Sequence, residues 1–385
     1  MKIEIITITS LAYGGDGIGR LADGRVCFVP GVLPGEKVKV LLTAEKKRFT
    51  RGEVQEIIQS SPRRIIPECP LSGKCPGCCY NHCTYEEELK WKAQHLKDFL
   101  LRNSLADEIA VLSPVPSPQR DNYRNKLTLH ADPVSGKYGY FGADNRTVIP
   151  VDKCLLGNAG FGKILPLAVG EKALFRFASG SGANLIDPSD PGALVENIPG
   201  WGEFSVAGNG FFQVNLPVAA ELIRLAAAEI SGDEVLELYC GVGVFSVSFA
   251  EKFPQLRCTG IELNKKAIEF ARINAEKHQV SDRCRFYAGD AGRELKKFRK
   301  KGNFTLLIDP PRTGVEKSTL QKITALKAEK IIYISCAADT LTRDLKELTA
   351  AGYRVKSSRV LDMFPRTAHF ESVTVLEKHI VSLVD

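Results

Sequence analysis

From Glu234 onward the chain repeats one pattern that few folds satisfy. Short apolar runs alternate with helical stretches, and the runs end on glycine, an acid or a cysteine. Glu234–Cys240 leads into Gly241-Val242-Gly243, Cys258–Glu262 ends in one acid and Cys284–Asp290 in another. Phe304–Asp309 runs into Pro310-Pro311-Arg312, and Lys330–Cys336 closes the series. Helical spacing over Lys265–Lys277 and Asp339–Ala351 separates some of these runs. The pattern predicts an α/β fold, a doubly wound and mostly parallel sheet. Tyr353–Leu361 and Ser372–Lys378 have no helix between them and are expected as an antiparallel pair at one edge.

Two other regions precede this one, so the chain divides into 1–59, 60–207 and 208–385. In the first, Gly14-Gly15-Asp16-Gly17 and Asp23-Gly24 punctuate short alternating runs, which favours a small OB-like β-barrel. Lys46, Lys47, Arg48 and Arg51 cluster near one expected turn, either a solvated loop or a contact for RNA backbone. The second region opens on Ser-Ser-Pro-Arg-Arg and a dense run of cysteines. It continues with a helix over Glu86–Leu101 and then a glycine- and proline-rich stretch that reads as sheet and turns. There Tyr123-Arg124-Asn125-Lys126 is a basic spot, either a phosphate contact or the outer face of a strand.

In a doubly wound sheet, ligands bind outside the carboxyl ends of the strands. Here those ends are Tyr239 with its glycines, Glu262, Asp290, Asp309 and Cys336. A dinucleotide turn needs G-x-G-x-x-G, and its last position is Ser246, which disfavours a pyrophosphate-bearing ligand. Glu262 lies 19 residues beyond Gly243, placed for ribose hydroxyls. A nucleoside without pyrophosphate fits, and S-adenosylmethionine is the obvious one.

Cys336 sits inside this proposed pocket, where a thiol is either an inert core residue or a nucleophile with a stabilised thiolate. Glu371 opens the last run. It is either an exposed strand-initiating acid or a general base. Among the early cysteines, Cys69, Cys75 and Cys78 form C-x5-C-x2-C, with Cys79 and Cys83 crowding them and Cys154 far downstream. Four thiolates hold zinc or an iron–sulfur cluster, and spacing alone does not choose.

Phe212-Gln213-Val214-Asn215, Tyr239-Cys240-Gly241-Val242-Gly243, Asp309-Pro310-Pro311-Arg312, Ser335-Cys336 and Asp362-Met363-Phe364-Pro365 with His369-Phe370-Glu371 resemble the RNA 5-methyluridine methyltransferases. The resemblance runs over nearly the whole chain. It implies a Rossmann-like methyltransferase domain at 208–385, a TRAM RNA-binding barrel at 1–59 and a β-rich central domain at 60–207 carrying a [4Fe–4S] cluster. Carried over by position, Cys336 is the nucleophile and Glu371 the base. Gln213, Tyr239, Glu262, Asp290 and Asp309 line the S-adenosylmethionine site, and Cys69, Cys75, Cys78 and Cys154 hold the cluster. The barrel with the cluster resembles the ribosomal-RNA members, with a transfer-RNA substrate as the alternative. One departure is plain: Ala337-Ala338 follow Cys336 where the family carries Asn-Pro.

Two other classes compete with this reading. Amino-group methyltransferases carry Pro-Pro-Tyr where this chain has Pro310-Pro311-Arg312. An RNA-binding or folding factor with silenced catalysis would keep the fold. Composition narrows the field further. Hydrophobic residues at 44% and charged residues at 25% of 385 exclude a disordered or low-complexity chain. A net charge of +7 suits a polyanionic partner such as RNA. Eleven cysteines, an odd count, argue against a full disulfide framework. No signal-like apolar core opens the sequence and no 18 uncharged apolar residues run together, so a soluble cytoplasmic monomer is expected.

Overall fold

The computed structural model describes residues 2–105, 110–298 and 303–378. At the N-terminus β1 (Ile3–Leu11), β2 (Gly17–Arg20), β3 (Val26–Val29), β4 (Lys37–Glu45) and β5 (Phe49–Gln59) close into a barrel in the order β1-β2-β3-β5-β4. Alternation decides which side chains fill it. Ile6, Ile8, Val29, Val38 and Val40 point inward, and Ile3 and Ile5 remain outside. Lys46, Lys47 and Arg48 form the exposed tip of the β4–β5 hairpin.

The barrel is fastened to the cysteine-rich segment by charge and by packing. Glu36, fully buried, takes the Arg64 guanidinium in a two-pronged pair at 2.6 and 2.7 Å and accepts the backbone N–H groups of Leu33 and Ser61. Leu11 and Leu33 pack with Tyr80 and Cys83 in a small shared core. The cysteine-rich segment leads into a helix over Tyr85–Arg102 and then β6 (Ala110–Val115).

The central region holds a sheet of β7 (Lys126–Ala131), β8 (Tyr138–Phe141), β9 (Val148–Pro150), β10 (Lys172–Ala178) and β11 (Gly182–Ile186), in the order β11-β10-β7-β8-β9. A hairpin of β12 (Ala193–Ile198) and β13 (Gly202–Ala207) comes next. The basic spot sits at the start of β7, and its Tyr123, Asn125 and Lys126 side chains also have partners within the protein. Tyr123 is buried, Asn125 hydrogen-bonds Val214 and Gln213, and Lys126 donates to the carbonyl of Gly210 at 3.0 Å. These residues grip the segment that delivers Gln213.

The large sheet is built from β14 (Glu234–Leu238), β15 (Arg257–Glu262), β16 (Cys284–Ala288), β17 (Thr305–Ile308), β18 (Lys330–Ser335), β19 (Tyr353–Leu361) and β20 (Glu371–Lys378). Its order is β16-β15-β14-β17-β18-β20-β19-β6, with the first five strands parallel and β20 running against its neighbours. The expected antiparallel pair is present, but the true edge is β6, parallel to β19. Pro114 belongs to β6, and an outer strand tolerates the missing N–H donor of proline. The helix before β6 also joins this body, packing against β6, β19 and the helix at Ala338–Ala350, with Leu96, Leu100 and Leu105 in the shared core. The helix Tyr85–Arg102 and β6, read from sequence with the central region, therefore belong to the body of this sheet.

Candidate active site

The strand order reverses between β14 and β17, and a crevice opens above their carboxyl ends. Gln213, Tyr239, Gly241 and Asp309 line it, with Phe211 and Phe212 along one wall. Sharp backbone turns make the room. Tyr239, Gly241 and Gly243 all have positive φ, at 64, 53 and 80°, which is unusual for tyrosine and natural for glycine. A Cβ on Gly243 would meet the Phe286 ring at 2.9 Å, so that position admits no side chain.

Glu262 and Asp290 flank the crevice without lining it. The Glu262 carboxylate accepts N–H groups from Gly241 (3.2 Å) and Asn264 (2.8 Å), bracing the glycine turn. Asp290 caps a short helix through the N–H of Arg293. Sequence reasoning missed Glu237, buried beneath the turn, where it accepts hydrogen bonds from the backbone and hydroxyl of Ser246. Burial pushes its carboxyl up to about 8. The serine that replaces the third dinucleotide glycine thus anchors the turn from below.

Beside the crevice, strand register brings two chemical groups together. Ser335 of β18 pairs with Ser372 of β20, so Cys336 and Glu371 lie next to one another at the pairing's end. Burial pushes the Cys336 thiol up to about 11, the nearby Glu371 charge adds to this, and Arg312 opposes it by charge and a hydrogen bond. Glu371 is held well above the usual carboxylate range by burial first and by the charge of Asp309 second, again with Arg312 opposing. Its Oε2 is buried and has no hydrogen-bond partner among the described residues, an acceptor left open. Burial raises Asp309 to about 7. Arg312 carried no assigned role in the sequence, although it directly follows Asp-Pro-Pro.

Ala337 and Ala338 leave the loop after the thiol well braced. Ser335 Oγ accepts the N–H of Ala337 and donates to its carbonyl, and the Thr340 hydroxyl reaches the same oxygen at 3.2 Å.

The segment 362–370 that delivers Glu371 is clamped by a buried charge network. Lys92, with no exposed side-chain surface, donates to Glu88 at 2.8 Å and Asp362 at 2.6 Å. Arg366, at a positive φ of 68°, donates its N–H to Glu88 and pairs with Asp121 at 2.8 Å. Its carbonyl receives the N–H groups of Cys79 and Tyr80. Asp362 stood in a sequence motif, but Lys92 and Glu88 gave no signal beyond helical spacing.

Cys69, Cys75, Cys78 and Cys154 line one cavity, bounded also by Tyr140 and Arg366. Burial, reinforced by Cys154, Cys75 and Cys69, pushes the Cys78 thiol up to about 12. The Tyr140 hydroxyl is buried there beside the Cys154 thiol. Among the described residues, no three His, Cys, Asp or Glu side chains are grouped as a single-ion site. A shared cavity of four sulfur donors fits a thiolate-bound group in kind, because such a group displaces the thiol protons that burial retains. Cys79 and Cys83 stand apart from this cavity, the latter in the core with Leu11.

Residues 2–55 match the TRAM domain, and residues 203–379 match the tRNA (Uracil-5-)-methyltransferase family. A protein named as an uncharacterized RNA methyltransferase in Listeria monocytogenes is 28% identical over 96% of each chain. One of the same name in Aquifex aeolicus is 29% identical over 97% of this chain and 98% of its own. The crystal structure of Pyrococcus abyssi tRNA (uracil-54, C5)-methyltransferase with S-adenosyl-L-homocysteine superposes with a TM-score of 0.74, at 24% identity, over 96% and 99% of the chains. Sheet, crevice and relatives define an S-adenosylmethionine-dependent RNA methyltransferase. Within that class residues 203–379 are similar to the tRNA (Uracil-5-)-methyltransferase family, with a TRAM barrel at the N-terminus. No described helix is long and apolar enough to cross a membrane.

Proposed function

We propose that this protein converts uridine in RNA to 5-methyluridine through a transient bond between Cys336 and carbon 6 of the target uracil. The observation that carries the reading is the pairing of β18 with β20, which sets a thiol beside a carboxylate with an open acceptor oxygen. S-adenosylmethionine supplies the methyl group as a sulfonium. Gln213, Tyr239 and Asp309 hold it in the crevice, while Glu262 and Asp290 act from the flanks.

Carbon 5 of uracil is a weak nucleophile. Addition of the Cys336 thiolate forms an S–C6 bond and moves the ring π pair toward the C4 oxygen, which makes carbon 5 electron-rich. Once carbon 5 is methylated, Glu371 takes its proton. The freed pair restores the C5–C6 double bond and the S–C6 bond breaks, returning the thiolate. Arg312 favours the ionised forms of both groups. The base has to leave its stack to be reached in this way.

Cys69, Cys75, Cys78 and Cys154 would hold a [4Fe–4S] cluster in a structural role, tying the cysteine segment to β8 and to the 362–370 segment. The working division is 1–59, 60–207 and 208–385, with the helix Tyr85–Arg102 and β6 lent to the catalytic sheet, in a cytoplasmic monomer. For the RNA, barrel plus cysteine set supports 23S ribosomal RNA. The full-length superposition on a transfer-RNA enzyme favours transfer RNA as the second reading. Incubation with RNA containing 5-fluorouridine tests the chemistry: a covalent adduct is expected, lost in Cys336→Ala. Cofactor binding without methylation of any RNA would leave a binding factor instead. Mapping 5-methyluridine in cells with and without the protein decides between the two RNAs.

A further inference from the structure

Tyr13 lies in the barrel, in the loop between β1 and β2, yet its ring meets the catalytic body. It contacts Phe99, His95 and Phe370 edge-on, at centroid distances of 5.4, 5.9 and 6.2 Å. Phe370 immediately precedes Glu371. The hydroxyl lies close enough to Cys336, Arg312 and Asp339 for their charges to act on it. Despite these neighbours the side chain is 40% exposed.

The loop that carries the ring is rigidly seated. Ala12 donates to the Asp16 carbonyl at 2.8 Å, and Gly15 donates back to Ala12 at 2.9 Å. At Gly15, φ is +94° and an added Cβ would lie 2.6 Å from the Cys79 Cβ, so the loop is pressed against the cysteine segment. Asp16 pairs with Arg51 at 3.1 Å, and Arg51 covers the Phe28 ring, which meets Phe49 edge-on. Arginine and aromatic side chains of β3 and β5 are thus joined through Asp16 to the loop that carries Tyr13, whose ring packs on Phe370 next to Glu371. Cation and exposed ring together are what single-stranded RNA uses.

We propose that Tyr13 forms part of the target-base site, stacking on the unstacked nucleotide offered to Cys336, so that the barrel completes the active site rather than only holding RNA at a distance. The inference rests on the uracil-5 reading above. It explains a partly exposed aromatic, rigidly presented by one domain at the reactive group of another. Loss of one base–aromatic stack lowers affinity about ten- to a hundredfold.

The test uses full-length protein and in vitro transcripts of transfer RNA and 23S ribosomal RNA containing 5-fluorouridine, with the rate of adduct formation as readout. Tyr13→Ala is expected to lower the rate constant per RNA concentration about ten- to a hundredfold, with Tyr13→Phe recovering most of the loss. Binding of S-adenosylhomocysteine and the melting temperature should stay close to wild type. Tyr13→Leu keeps bulk without a π face and serves if the alanine variant folds poorly. Wild-type rates in Tyr13→Ala or Tyr13→Leu overturn the inference, as does a loss matched by equal loss of cofactor binding. If the wild-type protein forms no adduct, the uracil-5 reading fails instead. RNA affinity of Tyr13→Ala then reads the stacking role by itself.

Discussion

The molecule keeps sulfur in two contrasting settings. At the end of β18 a single thiol faces a carboxylate and an arginine; in the central cavity four thiols face one another. Burial raises the Cys336 thiol and, in the cavity, those of Cys75 and Cys78, so burial does not separate the two settings. Neighbours do. A lone thiol with a cation beside it and an open acceptor opposite has the parts for a bond that forms and breaks. Thiols whose charges oppose each other gain most from a shared cation and then stay put.

The sharpest way to break this contrast is to exchange the losses. Cys336→Ala should lower methylation at least about a thousandfold, with melting temperature and absorbance spectrum retained. If instead Cys78→Ser abolished the adduct and Cys336→Ala did not, the two settings would have been misassigned. Glu371→Gln should cut turnover about 10²- to 10⁴-fold while still trapping RNA, because bond formation needs the thiol alone and release needs the base. Free turnover in that variant removes Glu371 from the chemistry.

The pH dependence sharpens the same point. With its pKa raised to about 11, Cys336 is mostly protonated at neutral pH, and its thiolate fraction grows with rising pH. Its alkylation by iodoacetamide, followed by peptide mass spectrometry, should rise about tenfold per pH unit from 7 to 10. Arg312→Gln should move the midpoint higher still, since that cation now opposes the shift. A plateau below pH 8 would mean an unseen stabiliser of the thiolate.

Smaller effects belong to the other cavity and the barrel. Cys69→Ser should remove the brown absorbance and lower the melting temperature by several degrees. A colourless wild-type protein carrying zinc would keep the ligands and change the group. Replacing Lys46, Lys47 and Arg48 by alanine should reduce the salt slope of RNA binding by about 2, with cofactor affinity unchanged. An unaltered slope would take the hairpin tip out of the RNA path.

Much of this is legible in the sequence alone. Helix Lys265–Lys277 and strand Tyr353–Leu361 fall where the residue pattern puts them, because amphipathic and alternating patterns are local signals. Tyr239 and Asp309 meet in one crevice because strand ends converge in such a sheet, and Gln213 reaches it from the segment that Asn125 holds. What escaped was set by distant partners. Nothing local in Ala110–Val115 announces a parallel neighbour at Ser357–Leu361. Lys92 reads as a helix-surface cation until Asp362 arrives from 270 positions away. Lys126 looks like a phosphate contact until the 209–210 carbonyls take it. Tyr13 reads as a turn residue until Phe370 packs against it.

The late partner of β6 has a consequence for how the chain is made. During synthesis β6 emerges long before β19 and has to wait, its inner edge unpaired, for most of the polypeptide to be made. Pairings this remote in sequence are slow to nucleate. The strand carrying Glu371 follows β19 directly, so the thiol and the carboxylate meet only after both late strands have emerged and paired.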